Sequence, residues 1–309
     1  MTVAEVGPDP GPPVGPDEAA PVTPELERSA ERARRRLGFL YALPAYAYLL
    51  LFFAVPLVIV ALYSFATRPP QGGVPDLSGW NLEAYSKLAE PLVRTIAWRS
   101  VWYAALTTAL CLVIGYPFSL YLATRTPRYR NLLLVLVLIP FWSNFLVRTY
   151  AWRVLLGSDG PWSQISEALG LGESRLLFTP TAVIIGLVYG FLPFMILPLY
   201  ASIERLDWSL VEAARDLYAS GWSAFRRVIW PLSRPGVIAG SILVFIPSLG
   251  AYVTPEILGG AKTTLLGSYI VNQFLSARDW PFGSAISFVV MLVMLAATIV
   301  YFREGGRNL

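Results

Sequence analysis

The sequence predicts an all-α membrane protein of six transmembrane helices, with an amphipathic helical insertion between the fourth and fifth. Three observations predict it. Hydrophobic residues fill 55% of the 309 positions and charged residues only 14%, with a mean hydropathy of +0.55; a soluble domain carries about 25% charged residues. The charges lie between long apolar runs instead of alternating with them. Six of those runs reach the roughly 20 residues that cross a hydrocarbon core as a helix. Unpaired backbone groups are costly in lipid, so helices are expected there and open strands are not.

Residues 1–24 hold seven prolines among Gly, Asp and Glu, without apolar periodicity. They read as part of a disordered N-terminal tail, 1–36, which closes on Arg28, Arg32, Arg34, Arg35 and Arg36. The first apolar run spans about 39–66. A signal peptide has an apolar part of only about 7–15 residues, so this longer run reads as an uncleaved spanning helix. The remaining spans are expected at about 100–124, 131–156, 181–203, 235–256 and 282–302, within a domain 37–303 that a short tail, 304–309, follows. Pro44, Pro56, Pro117, Pro140, Pro193, Pro198, Pro247 and Gly250 fall inside these runs. Kinks are tolerated where neighbouring helices satisfy the freed carbonyls, and so many broken helices suit a bundle that surrounds a path. Between the first two spans, Asn81 to Leu88 reads as a short surface helix, and Trp80, Trp98 and Trp102 suit a membrane interface.

Six spans put both ends of the chain on one side. Counting Lys and Arg, that side holds fifteen and the other seven, with Arg148 and Arg153 in or at the end of the third span. The positive-inside rule then places both termini and the insertion on the cytoplasmic side of the membrane. There is no histidine, and the single cysteine, Cys111, lies in an apolar run. His-based triads, His-ligated zinc and Cys-type metal sites are thereby excluded. The Gly260-Ala261-Lys262-Thr263-Thr264 stretch lacks the Gly-Lys adjacency and first Gly of a phosphate loop, so no nucleotide site is expected.

The insertion, residues 204–233, is a charged island in an oily chain. Leu210, Ala214, Leu217, Gly221, Ala224 and Val228 recur at helical spacing as an apolar stripe. Ser209 reads as an N-cap, with Glu212 completing a capping box. Gly221 marks a break between two short helices, Pro231 the end of the second, and Pro235 the first turn of the fifth span. A helix lying on headgroups would favour bulkier apolar residues and more cations. Small Ala213, Ala214 and Ala219 beside charges of both signs suit docking into a protein cleft instead.

Glu212-Ala213-Ala214, then a helix, a break and Ile229-Trp230-Pro231-Leu232 resemble the coupling-loop motif of binding-protein-dependent ABC importer permeases. The stretches Pro140 to Trp152, Leu187 to Tyr200, Pro231 to Gly240, Gly250 to Gly260 and Asp279 to Gly283 are similar to signatures of the spermidine/putrescine branch, and the resemblance covers about 37–303. It implies a MetI-like permease fold and a non-catalytic transport subunit. Partners would be cytoplasmic ATPase subunits that bind ATP and Mg, a second permease, an extracytoplasmic substrate-binding protein and the lipid bilayer of a bacterial inner membrane, with no nucleic acid. Glu212, Ala213, Ala214, Asp216, Leu217, Tyr218 and Gly221 would form the ATPase-coupling site. The chain departs from the family at Tyr218, where a glycine is usual; either the turn shifts to Gly221, or Tyr218 adds an aromatic contact to the partner. Other solutes of the family branch, such as opines, phosphonates or iron, remain alternatives, as does an ATP-independent transporter without a partner for the island. A membrane enzyme would need an acid/base set that the chain lacks.

For a cationic solute, Glu256 with Trp142, Tyr189, Tyr252 and Trp280 are candidate pathway residues, through charge and cation–π attraction. Each aromatic taken singly reads better as an interfacial anchor. Arg148 reads as a structural intramembrane charge held by an acid or by carbonyls of a neighbouring helix. Gly236 and Gly240 read as a helix-packing pair.

Overall fold

The computed structural model describes residues 38–39, 41–170 and 175–305. The expected N-terminal tail with its five arginines, and Arg307, lie outside the described residues. The chain divides into two compact units at Ile59/Val60. The first is helical from Tyr41 onward, belongs to the apolar helix α1 (Tyr41–Tyr63), and carries a π-turn at Leu50–Ala54.

In the second unit a short hairpin comes first. Strands β1 (Ala66–Thr67) and β2 (Asp76–Trp80) pair antiparallel, a small ladder in an otherwise helical unit. The Thr67 hydroxyl donates to the Gly79 carbonyl at 3.2 Å, and the Asn81 amide to the Thr67 hydroxyl at 3.2 Å, so side chains support so short a ladder. Helix α2 (Glu83–Lys87) follows. Helix α3 (Pro91–Ala123) has 33 residues. At about 1.5 Å rise per residue it is longer than the roughly 30 Å hydrocarbon core.

The third apolar run is not one helix. It is α4 (Pro127–Trp142) and α5 (Phe145–Leu155), bent by 93° at Ser143-Asn144. The Asn144 side chain accepts from the backbone N–H groups of Leu146 (2.8 Å) and Val147 (3.4 Å), so it caps a new helix where sequence periodicity runs on unbroken. Helix α6 (Pro161–Ala168) is short, and α7 (Pro180–Glu204) is the fourth long apolar helix. Helix α8 (Trp208–Asp216) lies in the island. Helix α9 runs unbroken from Gly221 to Leu249. It starts well before the expected 235 and ends before the expected 256. Residues Pro255–Gly259 form a separate π-turn, because the chain turns at Gly250 and the backbone nitrogen of Pro255 cannot rejoin a helix ladder. Helices α10 (Leu266–Leu275) and α11 (Trp280–Gly305) complete the chain. Among the described residues, five helices are long and apolar enough to cross a membrane, or six with the bent pair counted as one.

Helices α3, α7 and α9 pack on one another as the centre of the second unit. Cys111 and Tyr116 of α3 meet Met195, Leu199 and Ile203 of α7 and Val244 of α9. Close approach needs two of the glycines of α9, Gly236 and Gly240. A Cβ on Gly236 would lie 2.5 Å from Ser202 Cβ and 2.8 Å from the Pro198 carbonyl, and one on Gly240 2.8 Å from Met195 Sδ. A second cluster joins Val93, Ile96 and Ala104 of α3 to Leu249, Leu266, Phe282 and Ile286. The segment before α11 is tied down by charge: buried Asp279 receives Arg68 at 3.2 Å and Lys87 at 3.7 Å, and its carboxylate accepts from the Phe282 N–H at 3.2 Å.

Candidate functional site

The island begins with a cap that the sequence hides. Asp207, not Ser209, precedes the first residue of α8, and its carboxylate accepts from the Ser209 backbone N–H at 3.0 Å. The expected Ser209/Glu212 capping box is therefore absent. Two residues upstream, a carboxylate already serves the first turn. The Ser209 hydroxyl, then its N–H, holds the Asp207 carboxyl below the usual carboxylate range. Glu212 is left exposed, and among the described residues its carboxylate makes no ion pair or side-chain hydrogen bond.

Helix α8 ends in a Schellman motif. The Tyr218 N–H donates to the Arg215 carbonyl (2.9 Å) and the Ala219 N–H to the Ala214 carbonyl (3.0 Å). Tyr218 itself takes the left-handed conformation, with φ 61°. The turn stays at the position where a glycine is usual and does not shift to Gly221. Gly221 opens α9 behind Ser220, whose hydroxyl accepts from the Ser223 N–H at 3.2 Å.

This turn resets the helical register, and the expected apolar stripe is not one face. Val211, Ala224 and Ile229 are buried, with Leu120, Leu206, Ala214 and Val228 against them. Leu217 is 82%, Tyr218 98% and Trp222 70% exposed. Glu212, Ala213, Asp216 and Gly221 are exposed beside them. The outward face therefore presents a carboxylate pair, small side chains and large apolar groups together.

Buried polar and aromatic contacts connect the island to the bundle. The Tyr116 hydroxyl of α3 meets the Ser233 hydroxyl at 2.7 Å, and its ring packs edge-on against Phe225 and tilted on Trp230, at 5.5 and 5.3 Å. Pro231 does not end the helix as expected. A π-turn at Phe225–Ile229, closed by the Trp230 N–H on the Phe225 carbonyl, widens the backbone just before the proline ring. Nearby, Arg130 of α4 pairs with Glu204 of α7 at 2.7 Å. Sequence reading missed both links, since their partners lie far apart along the chain.

The candidate pathway residues are not gathered in one place. Trp142, at the end of α4, is 82% exposed. Tyr252 and Glu256 are exposed on the segment after α9, with the Glu256 N–H donating to the Tyr252 carbonyl. Trp280 instead packs against Tyr63 and Phe274, as an anchor of α11. Tyr189 meets Trp152 edge-on at 5.3 Å and borders a small cavity with Arg148, Thr149, Thr254 and Leu258. Arg148 donates to the Pro140 carbonyl at 2.8 Å, across the bend from its own helix. Among the described residues no carboxylate pairs with it. No group of three or more His, Cys, Asp or Glu side chains suited to a metal occurs among the described residues.

The family profile described as "Binding-protein-dependent transport system inner membrane component" matches residues 115–303. The spermidine/putrescine transport system permease protein PotB of Haemophilus influenzae is 44% identical over 262 residues, covering 84% of this chain and 91% of that protein. The protein of the same name from Escherichia coli K12 is 43% identical over 260 residues, covering 84% and 94%. Among solved structures, a chain of a bacterial alginate ABC transporter in complex with an alginate pentasaccharide-bound periplasmic protein superposes with a TM-score of 0.65. It is 16% identical and covers 89% of this chain and 97% of its own, a likeness of fold.

Proposed function

Because the chain belongs to the family of binding-protein-dependent transport system inner membrane components, we propose that it is a permease subunit of an ATP-driven importer of spermidine and putrescine. The observation that carries this reading is 43–44% identity, over 84% of the chain, to two proteins named as spermidine/putrescine permeases. It is not an enzyme. Its work is to present a path and to receive a mechanical input, with ATP and Mg held by partner ATPase subunits. A second permease completes the pathway, and a binding protein outside delivers the solute.

In this reading the α8 surface docks on the ATPase. Glu212, Ala213, Ala214, Asp216, Leu217, Tyr218 and Gly221 form the contact, and Trp222, 70% exposed, extends it. Two features support the assignment: Glu212 is free of a capping role, and large apolar groups are exposed beside it. The input then reaches the bundle through Phe225 and Trp230 on Tyr116. The excess of Arg near the island, at Arg125, Arg128, Arg130, Arg205, Arg215, Arg226, Arg227 and Arg234, supports a cytoplasmic island and cytoplasmic termini.

The test is co-purification and uptake in one experiment. The permease, co-expressed with an ATPase subunit, a second permease and a binding protein of such an importer, should bring down the ATPase and support spermidine uptake. Glu212→Lys should weaken that association. Normal association and transport by the variant would refute the docking assignment. Uptake of a different solute by the wild type would refute the polyamine reading alone.

A further inference from the structure

The bend in the third apolar run holds a half-buried cation against aromatic rings. The Arg148 guanidinium carbon lies 5.3 Å from the Phe141 ring centroid and 5.6 Å from those of Phe145 and Tyr189. Among the described residues its guanidinium donates to the Pro140 carbonyl at 2.8 Å, and no carboxylate pairs with it. Three aromatic rings and a carbonyl around a positive charge make an aromatic cage, the surroundings that recognise an organic ammonium ion. The space left beside Arg148 is about 10 Å³, bordered by Thr149, Trp152, Gly190 and Thr254. That admits about one water and no further organic group.

We propose that the Phe141–Phe145–Tyr189 cage is a binding site for a protonated amine of the transported solute, and that Arg148 occupies it as a resident cation between transport events. This rests on the polyamine reading above. Two unit charges do not share one cage, because their repulsion at a few ångströms is strong away from bulk water. An entering ammonium group therefore takes the rings only as the guanidinium leaves. The local structure suits that exchange. Arg148 sits in the first turn of α5, directly after the two-residue bend, and Phe141 and Phe145 flank the bend on either side. A shift of α5 relative to α4 moves Arg148 away from the Pro140 carbonyl and opens the cage. The device keeps an ammonium site closed to stray cations until the bend moves.

The experiment uses the complete importer in nanodiscs and measures radiolabelled spermidine binding without the binding protein. Wild type should bind weakly. Arg148→Gln, which keeps a donor for the Pro140 carbonyl but removes the charge, should bind about tenfold more tightly. Arg148→Lys should resemble wild type, and adding Tyr189→Leu to Arg148→Gln should abolish the gain. Unchanged binding by an intact Arg148→Gln importer would overturn the proposal, as would an equal gain in Arg148→Lys. A measurement on unmodified protein guards against a variant that fails to assemble. A photoreactive spermidine analogue, mapped during turnover, should label peptides carrying Phe141, Phe145 and Tyr189, and labelling confined to other segments overturns the cage. Absence of any polyamine uptake by the wild type refutes the functional reading itself. Uptake without the Arg148→Gln gain refutes only the cage.

Discussion

The hydroxyl groups of Tyr116 and Ser233 lie 2.7 Å apart in the buried junction between α3 and α9. Ser233 also donates to the Trp230 carbonyl at 3.2 Å, so it keeps one partner if the tyrosine loses its oxygen. Tyr116→Phe should therefore cost only about 1 kcal/mol, while Tyr116→Ala, which also strips the ring from Phe225 and Trp230, should cost about 3–5 kcal/mol. Thermal unfolding of the purified permease measures both. Uptake per ATP hydrolysed should fall more in the alanine variant, because the Phe225 and Trp230 contacts to α3 are then lost and Leu120 is left to couple the island to it.

Tyr218 holds a left-handed turn with a side chain that makes the turn costly. A non-glycine residue in that conformation costs about 1–2 kcal/mol. Tyr218→Gly should stabilise the end of α8 by about 1 kcal/mol and slow amide exchange at Ala219, whereas β-branched Tyr218→Val should destabilise it. If the ring also contacts the ATPase, the glycine variant gains stability yet loses affinity for that subunit. A variant that gains neither would mean that the strain is relieved elsewhere.

Packing of α7 against α9 predicts an asymmetry between glycines. Gly236→Ala forces its Cβ against Ser202 and the Pro198 carbonyl and should cost about 1–3 kcal/mol. Gly190→Ala meets nothing within 4 Å and should leave the melting temperature unchanged or raised. Equal losses at the two sites would contradict the close approach described above.

Arg130 and Glu204 are about a quarter and a third exposed, which screens their attraction. A double-mutant cycle of Arg130→Gln and Glu204→Gln should return a coupling of about 1 kcal/mol or less, shrinking with added salt. A larger, salt-independent coupling would show a drier junction than this geometry implies.

The Asp207 cap carries a pH signature. Its carboxyl is held below the usual range in the fold, so its contribution is fully present above the unfolded value of about 3.9 and is lost as pH falls through the lower folded value. Amide protection at Ser209 should fall at the acid end of that window in wild type. Asp207→Asn, itself a good cap, should show no such step.

Much of this fold was legible in the sequence because lipid imposes a single solution on long apolar runs. The fourth span was expected at 181–203 and the helix is Pro180–Glu204. The family motif, too, rests on contiguous residues, so it could be read directly. The island's internal geometry could not. Periodicity from Leu210 to Val228 presumed one register, but Tyr218 takes a backbone conformation that its side chain gave no reason to expect, and Leu217 turns outward as a result. The bend at Asn144 escaped notice for a similar reason. Hydropathy is blind to direction, and an apolar run reads alike whether straight or folded back by 93°.

By itself, then, the sequence determined that this protein lives in a membrane, where its long apolar runs lie, and which contiguous motifs it shares with its family, since composition and local order suffice for those. Only the tertiary structure decided that Arg148 rests among three rings, that Tyr116 reaches Ser233, and that Trp280 is an anchor apart from Tyr189. Those facts depend on helices distant in sequence meeting at particular rotations. Such rotations are set by side-chain packing, as where Gly236 lets α9 approach α7 closely, and hydropathy along the chain does not encode them.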